Sequence, residues 1–396
     1  IADPLIDSAD DGMTVKSVRA LFEGLRKEIV PLVKKLTRRP PADDSCLKRS
    51  FAVDRQLAFG LGIAEAFGFD PARGRQDKSP HPFCTTFAVG DVRITTRTKE
   101  NDLSEALFST LHEAGHAMYE QGFPDEFGRT PLFDAPSMGA HESQSRFWEN
   151  HVGRLRAFWE RIDPLLRMRF PAAMTSVTPD QLHAVGTTVR PSLIRVEADE
   201  VTYNLHITLR FELELALIRG DLEVAGLPSA WNRRIRELLD VTPPDDGVGV
   251  MQDIHWPVGG FGYFPDYTLG AVLAAQLFQK ARDSVPGMEQ AIGQGDFAPL
   301  LGWLREHVHG QGARPQFMEL VETATGAPKR AQRREWPRCG NPSISCPGEP
   351  FSTMSRLGSS LAACRSRNAM TAPPKPLNPS NLRALKSIFR RNSPVE

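Results

Sequence analysis

"LHEAGHAMYEQG", residues 111–122, sets two histidines four positions apart around a glutamate. On a helix each residue advances by about 100°, so His112 and His116 lie nearly above one another and can present two imidazoles to one ion, with Glu113 beside them. That is the layout of a metallopeptidase helix. Two neutral nitrogens hold a divalent ion, and the carboxylate takes the proton of a water whose pKa the ion lowers from about 15.7 to about 7. A solvated helix that merely carries histidines is the competing reading. Gly115, between the histidines, costs a helix about 1 kcal/mol relative to alanine, and a second backbone passing close by would explain it.

A catalytic ion of this kind usually takes three protein ligands and keeps one position open, so a further donor is needed. "GAHESQSRFWENH", residues 139–151, reads as a second amphipathic helix with His141 and Glu142 near its start and an unusually polar turn at Ser143, Gln144 and Arg146. Glu142 follows His116 by 26 residues, across the loop "GFPDEFGRTPLFDAPSM", a separation that suits a helical hairpin. Alone, Glu142 could equally be a first-turn glutamate favoured by the helix dipole.

Most of residues 13–327 has helical periodicity. "VKSVRALFEGLRKEIVPLVKKL", "FAVDRQLAFGLGIAEAFGFD", "LIRVEADEVTYNLHITLRFELELALIRG" and "YTLGAVLAAQLFQKARDSV" space apolar residues by three and four. One segment departs from it: "TTFAVGDVRITTRT", residues 85–98, alternates β-formers on either side of Gly90-Asp91 and predicts a hairpin. The expected fold is therefore all-α, mainly helical, with one small β-hairpin near the metal helix.

The chain has 396 residues, 48 Lys+Arg and 48 Asp+Glu. The zero net charge gives no reason to expect nucleic acid or an anionic membrane as partner. The balance is uneven, though: from Pro328 onward there are 13 basic and 3 acidic residues, leaving 35 and 45 before it. Residues 328–396, rich in Pro, Ser and Arg, read as a basic and mostly disordered tail, a solvated appendage rather than a nucleic-acid arm, after a helical domain over 1–327. Cys46, Cys84, Cys339, Cys346 and Cys364 form no CxxC pair, so reduced thiols and a cytoplasmic location are expected. No secretory or membrane-spanning segment is apparent, and the start at Ile1 suggests that an N-terminal portion is missing.

Taken together, "HEAGHAMYEQG" and "GAHESQSRFWENH" resemble the signature of the carboxypeptidase Taq family of zinc metallocarboxypeptidases. Further elements occur in that family's order: "HPF" at His81–Phe83, "DVRIT" at Asp91–Thr95, "IRVEAD" at Ile194–Asp199 and "GVMQDIHW" at Gly249–Trp256. The resemblance implies His112, His116 and Glu142 as zinc ligands with cobalt as a possible substitute, Glu113 as general base, a neurolysin-like helical groove, and a homodimer. It implies release of single C-terminal residues from peptides; broad specificity is expected separately, from main-chain pairing at the hairpin edge.

Gripping a free carboxylate suits the two-pronged guanidinium. Arg195 is the first candidate and the hairpin's Arg93 and Arg97 the others, against the alternative that each makes a structural ion pair. Donors to a tetrahedral oxyanion are sought in "DIHWPVGGFGYFPDY", which holds His255, Tyr263 and Tyr267. The hairpin edge is expected to pair with an extended peptide main chain. Two other readings remain: an oligopeptidase that cuts internally, and an inactive truncated relative that only binds metal.

Overall fold

The computed structural model describes residues 1–326; the basic tail, with Cys339, Cys346 and Cys364, lies outside the described residues. Helices dominate, and the β structure is one three-stranded sheet. The described chain divides into two compact units. One comprises residues 1–40 with 189–268, and the other residues 41–188 with 269–326.

In the first unit the leading periodic segment becomes helix Val15–Leu36. Thr14 and Ser17 close its N-terminus reciprocally, each side chain accepting from the other's backbone N–H. Its apolar stripe, Val18, Leu21, Phe22, Leu25, Ile29 and Val33, is buried, and Phe22 meets Phe211 edge to face at 4.9 Å. Phe211 belongs to helix Tyr203–Arg219, which is buried along most of its length and stops at Gly220, φ +78°. This helix starts eight residues after the "IRVEAD" arginine, whereas periodicity alone would begin it at Leu193. The Asp199 carboxylate explains the delay: it accepts from the N–H groups of Arg190, Val201 and Thr202 and from the Thr202 hydroxyl, holding a turn in place of helix.

The second unit is built around helix Leu103–Glu120, which carries the two histidines. Asp102 caps it by accepting from Ser104 N–H. Gln121 closes the other end, buried, accepting from Asp70 N–H and donating to the carbonyls of Asp70 and Arg73. The anticipated hairpin is present as β2 (Cys84–Ala88) and β3 (Asp91–Thr96), turning at Val89-Gly90 with Gly90 at φ +80°. It has a third member that the sequence reading missed: β1 (Gly74–Lys78) runs parallel to β3, giving the order β1-β3-β2. "GRQDK" has no β-branched residue, so its pairing comes from tertiary contact rather than propensity. The sheet is fastened to the histidine helix by Gln76 Nε2 donating to Thr110 Oγ1 at 2.9 Å and Thr96 Oγ1 donating to the Ala106 carbonyl at 3.3 Å.

Helix Met138–Arg146 lies against the same helix, capped by Ser137, whose Oγ accepts from Ala140 N–H. It continues as a π-helical turn, Phe147–Val152, with Gly153 N–H bonded to the Trp148 carbonyl. Gly115 is the contact point. A Cβ there would stand 2.6 Å from the Gln144 carbonyl oxygen and 2.7 Å from Ser145 Cα, closer than non-bonded atoms approach. The glycine that weakens the helix is what lets the two backbones touch.

Gly115→Ala is expected to destabilise the metal-free protein by about 1–3 kcal/mol through overpacking against backbone that has no room to move. Gly24→Ala, in helix Val15–Leu36 with nothing within 4 Å of the added carbon, is expected to stabilise by about 0.4–1 kcal/mol. Urea unfolding of both variants checks the pair, and equal effects would contradict the close-approach account.

Candidate metal centre

The helical hairpin expected from the sequence brings His112, His116 and Glu142 together. Among the described residues they form one cluster whose potential ligand atoms all lie within 4.8 Å of one another. Glu142 Oε2 stands 3.6 Å from His112 Nε2 and 3.4 Å from His116 Nε2. Both imidazoles have the opposite nitrogen occupied: His112 Nδ1 meets Glu149 Oε2 at 2.9 Å, and His116 Nδ1 meets the His141 carbonyl at 3.1 Å. A ring whose Nδ1–H is donated keeps its lone pair on Nε2. Two imidazole nitrogens and one carboxylate oxygen brought this close form a donor set that fits a divalent ion. Gly270 completes the packing, since a Cβ there would meet Glu142 Cβ at 2.7 Å.

Burial of a carboxylate favours its protonated form, yet Glu142 is held well below the usual range. The opposing pull comes first from Arg146, whose Nε donates to Oε1 at 2.7 Å, and then from His112. Ser145 Oγ donates to Oε2 at 3.1 Å. His116 is driven down to about 3 by burial and by His141, so it is a neutral donor at any working pH. The His141 ring stacks on it with centroids 4.3 Å apart and bonds through Nε2 to Glu120 at 2.8 Å. Burial would also lower His112, but the charge of Glu142 and the bond to Glu149 raise it.

Glu113 is buried at 6% exposure, and that burial pushes its carboxyl up to about 7 against the opposing pull of His112. Of the polar residues flagged in "HESQSR", Gln144 accepts from buried His309 Nε2 at 3.0 Å and Arg146 binds Glu142. Glu149 was missed by the sequence reading. Its signal was the spacing of seven from Glu142, which returns a helical residue close to the same face after two turns.

The arginine candidates each have a carboxylate partner. Arg93 makes two 2.8 Å bonds to Asp91 and lies over Phe87, while Arg97 pairs with Glu105. Arg195, in the first unit, is buried at 4% exposure. Its Nε and Nη2 donate to Asp253 Oδ1 at 2.9 and 2.7 Å, and its Nη1 donates to the Tyr203 hydroxyl at 3.0 Å. Its partner is thus 58 residues away rather than the neighbouring Glu197 or Asp199. Asp253 serves two guanidiniums, its Oδ2 accepting from buried Arg210 Nε at 2.5 Å. Also in this unit, His255 Nε2 bonds the Tyr267 hydroxyl at 2.9 Å, and the Tyr263 ring lies 5.5 Å from both.

Residues 2–334 match the family description "Carboxypeptidase Taq (M32) metallopeptidase". "Thermostable carboxypeptidase 1" of Thermus thermophilus is 47% identical over 327 residues, 82% of this chain and 64% of that protein. "Carboxypeptidase 1" of Bacillus subtilis is 41% identical over 82% of this chain and 65% of its own length. The crystal structure of an M32 carboxypeptidase from Deinococcus radiodurans superposes with a TM-score of 0.80 at 46% identity, covering 82% of this chain and 66% of the other. The chain therefore spans about two thirds of the length of the curated relatives it matches.

Because the folded carboxyl of Glu113 titrates near 7 and the unfolded one near 4.5, the folded state holds the extra proton between these values, and its stability falls as pH rises through them. Glu113→Gln, which mimics the protonated form, is expected to gain on the wild type between pH 4.5 and 7, by up to about 3 kcal/mol. Urea unfolding of both metal-free proteins across that range checks it, and a pH-independent difference would contradict it.

Proposed function

Since the chain belongs to the carboxypeptidase Taq (M32) family of metallopeptidases, we propose that it is a zinc-dependent carboxypeptidase releasing single C-terminal residues from peptides with broad specificity. The convergence of His112, His116 and Glu142 beside a buried Glu113 carries the reading. His112, His116 and Glu142 would hold a divalent ion, which when bound would supply Lewis acidity to the scissile carbonyl and to water. Zinc suits the donor set, and cobalt is the expected substitute.

Glu113 takes one proton from the attacking water as the new C–O bond forms. It returns that proton to the departing nitrogen as the C–N bond breaks, giving a free amino acid and a carboxylic acid that passes water's second proton to the released amine. Glu113 lies buried one residue from His112, where a carboxylate can both accept and return a proton. His255 with Tyr267 is the proposed donor pair for the oxyanion, with Tyr263 beside them.

Arg195 is the proposed anchor for the substrate's terminal carboxylate. One carboxylate, Asp253, faces two buried guanidiniums, and Arg210 Nη2 has no hydrogen-bond partner, so the cluster carries an excess positive charge. Burial lowers Arg210 to about 10, with the neighbouring Arg195 adding to it against the pull of Asp253, whereas Tyr203, Asp253 and Tyr267 raise Arg195 against its own burial. An incoming carboxylate offsets that surplus. Arg93 and Arg97, more exposed and paired locally, are secondary candidates for contacting peptide.

Strand β2 is an edge of the sheet, with Phe83, Phe87 and Val89 exposed along and beside it, and is the proposed main-chain partner of the peptide. A homodimeric assembly is part of the same proposal, supported by the family resemblance alone. A cytoplasmic setting is supported by the free thiols of Cys46 and Cys84. No helix among the described residues is long and apolar enough to cross a membrane.

Glu113→Gln is expected to retain one zinc per chain and to lose several orders of magnitude in kcat, because the proton acceptor goes while the ligands stay. A peptide with an amidated C-terminus is expected to be a far poorer substrate than the free acid. Equal rates on the two peptides would replace this reading with an internally cleaving oligopeptidase, and undiminished hydrolysis by the variant would reassign the base.

A further inference from the structure

We propose that Glu149 is a positioning residue for the metal centre: it fixes which nitrogen of His112 faces the ion, and through Arg146 it is tied to the carboxylate of Glu142. The inference rests on the reading of His112, His116 and Glu142 as ligands.

A histidine binds a cation only through a nitrogen that carries no proton, and either ring nitrogen can be that one. At His112 the choice is made by Glu149. Its Oε2 lies 2.9 Å from Nδ1 and also accepts from Arg146 Nη1 at 3.1 Å, with Arg154 Nη2 3.7 Å from Oε1, so the flanking guanidiniums favour its carboxylate form. An ionised carboxylate can only accept, so the ring must place its proton on Nδ1 and its lone pair on Nε2. Nε2 is the nitrogen that faces Glu142. His116 obtains the same orientation from a backbone carbonyl at 3.1 Å. Of the two ligands, His112 alone therefore has a charge-assisted partner, the stronger kind, and one that a side-chain substitution can remove.

Arg146 links the two carboxylates. Its Nε donates to Glu142 Oε1 at 2.7 Å and its Nη1 to Glu149 Oε2 at 3.1 Å, while Arg154 Nη2 lies 3.7 Å from Glu149 Oε1. With Oε1 of Glu142 engaged, Oε2 is the oxygen presented to the imidazoles. Glu149 itself lies in the π-helical turn Phe147–Val152, and a packing constraint holds that turn against the metal helix. A Cβ at Gly153 would stand 2.7 Å from both the Glu149 carbonyl oxygen and Leu111 Cδ1, beside His112. Wide turns of this type are concentrated at functional sites.

The test compares zinc affinity, by competition with a chromophoric chelator, for the full wild-type chain and Glu149→Gln, alongside circular dichroism and thermal unfolding of both metal-free proteins. The expected result is a 10–100-fold weaker zinc Kd for the variant, with an unaltered metal-free spectrum. A purely structural role would lower the metal-free melting temperature and leave the affinity of the folded protein unchanged, and that outcome would overturn the proposal. Failure of the wild type to bind zinc would instead remove the reading of the ligands. Independently of the variant's folding, long-range 1H–15N correlation of the metal-free wild type, at alkaline pH where His112 is neutral, is expected to show its proton on Nδ1. A proton on Nε2 would overturn the proposal without any mutation.

Discussion

The centre depends on the contact between two helices at Gly115, where backbone meets backbone and no side chain separates them. Interhelical distances set by side chains are ordinarily 8–10 Å. A glycine at the crossing lets the helices approach more closely, and at this crossing the Glu142 carboxylate stands within 3.4–3.6 Å of both imidazoles. The helix tolerates a poor helix former there because the rest of it is well secured. Asp102 caps its start, Gln121 ties its end to the Asp70–Arg73 loop, and the small sheet is bonded along its side.

With the ligands this close, electrostatics decides what the site can do. Two histidines, two carboxylates and an arginine are largely removed from water, so their protons and charges are set mainly by their neighbours. Arg146 and the imidazoles keep Glu142 and Glu149 ionised, His116 is held neutral, and Glu113, which lacks an arginine partner of its own in this cluster, is the carboxyl that burial raises. Glu142 and Glu113 are thus set apart by the placement of one guanidinium. Such divergence between neighbouring carboxyls is what acid–base chemistry near neutrality requires.

Local pattern was enough to read the histidine helix, its partner helix and the β2–β3 hairpin, whose turn falls one residue earlier than Gly90-Asp91, because each rests on spacing within one element or on a short connection; the grouping of Glu142 with the two histidines came from the family resemblance. The reading of Gly115 as a close-approach residue held for the same reason. What eluded it came from contacts distant in sequence. Strand β1 has no strand propensity of its own and exists by pairing with β3. The ion-pair partner of Arg195 is Asp253 rather than a neighbour in "IRVEAD". The helix at Tyr203 begins late because Asp199 offers the backbone another set of bonds. Glu149 shares the helical face of Glu142, but the bond that gives it a role reaches His112, 37 residues away in sequence.

The most direct test of this account is an anomalous difference map at the zinc edge from crystals of the zinc-loaded protein. The expected result is a single peak per chain about 2.0–2.2 Å from His112 Nε2, His116 Nε2 and Glu142 Oε2. A peak bound to other residues, or to the Nδ1 atoms with Glu142 turned away, would contradict it.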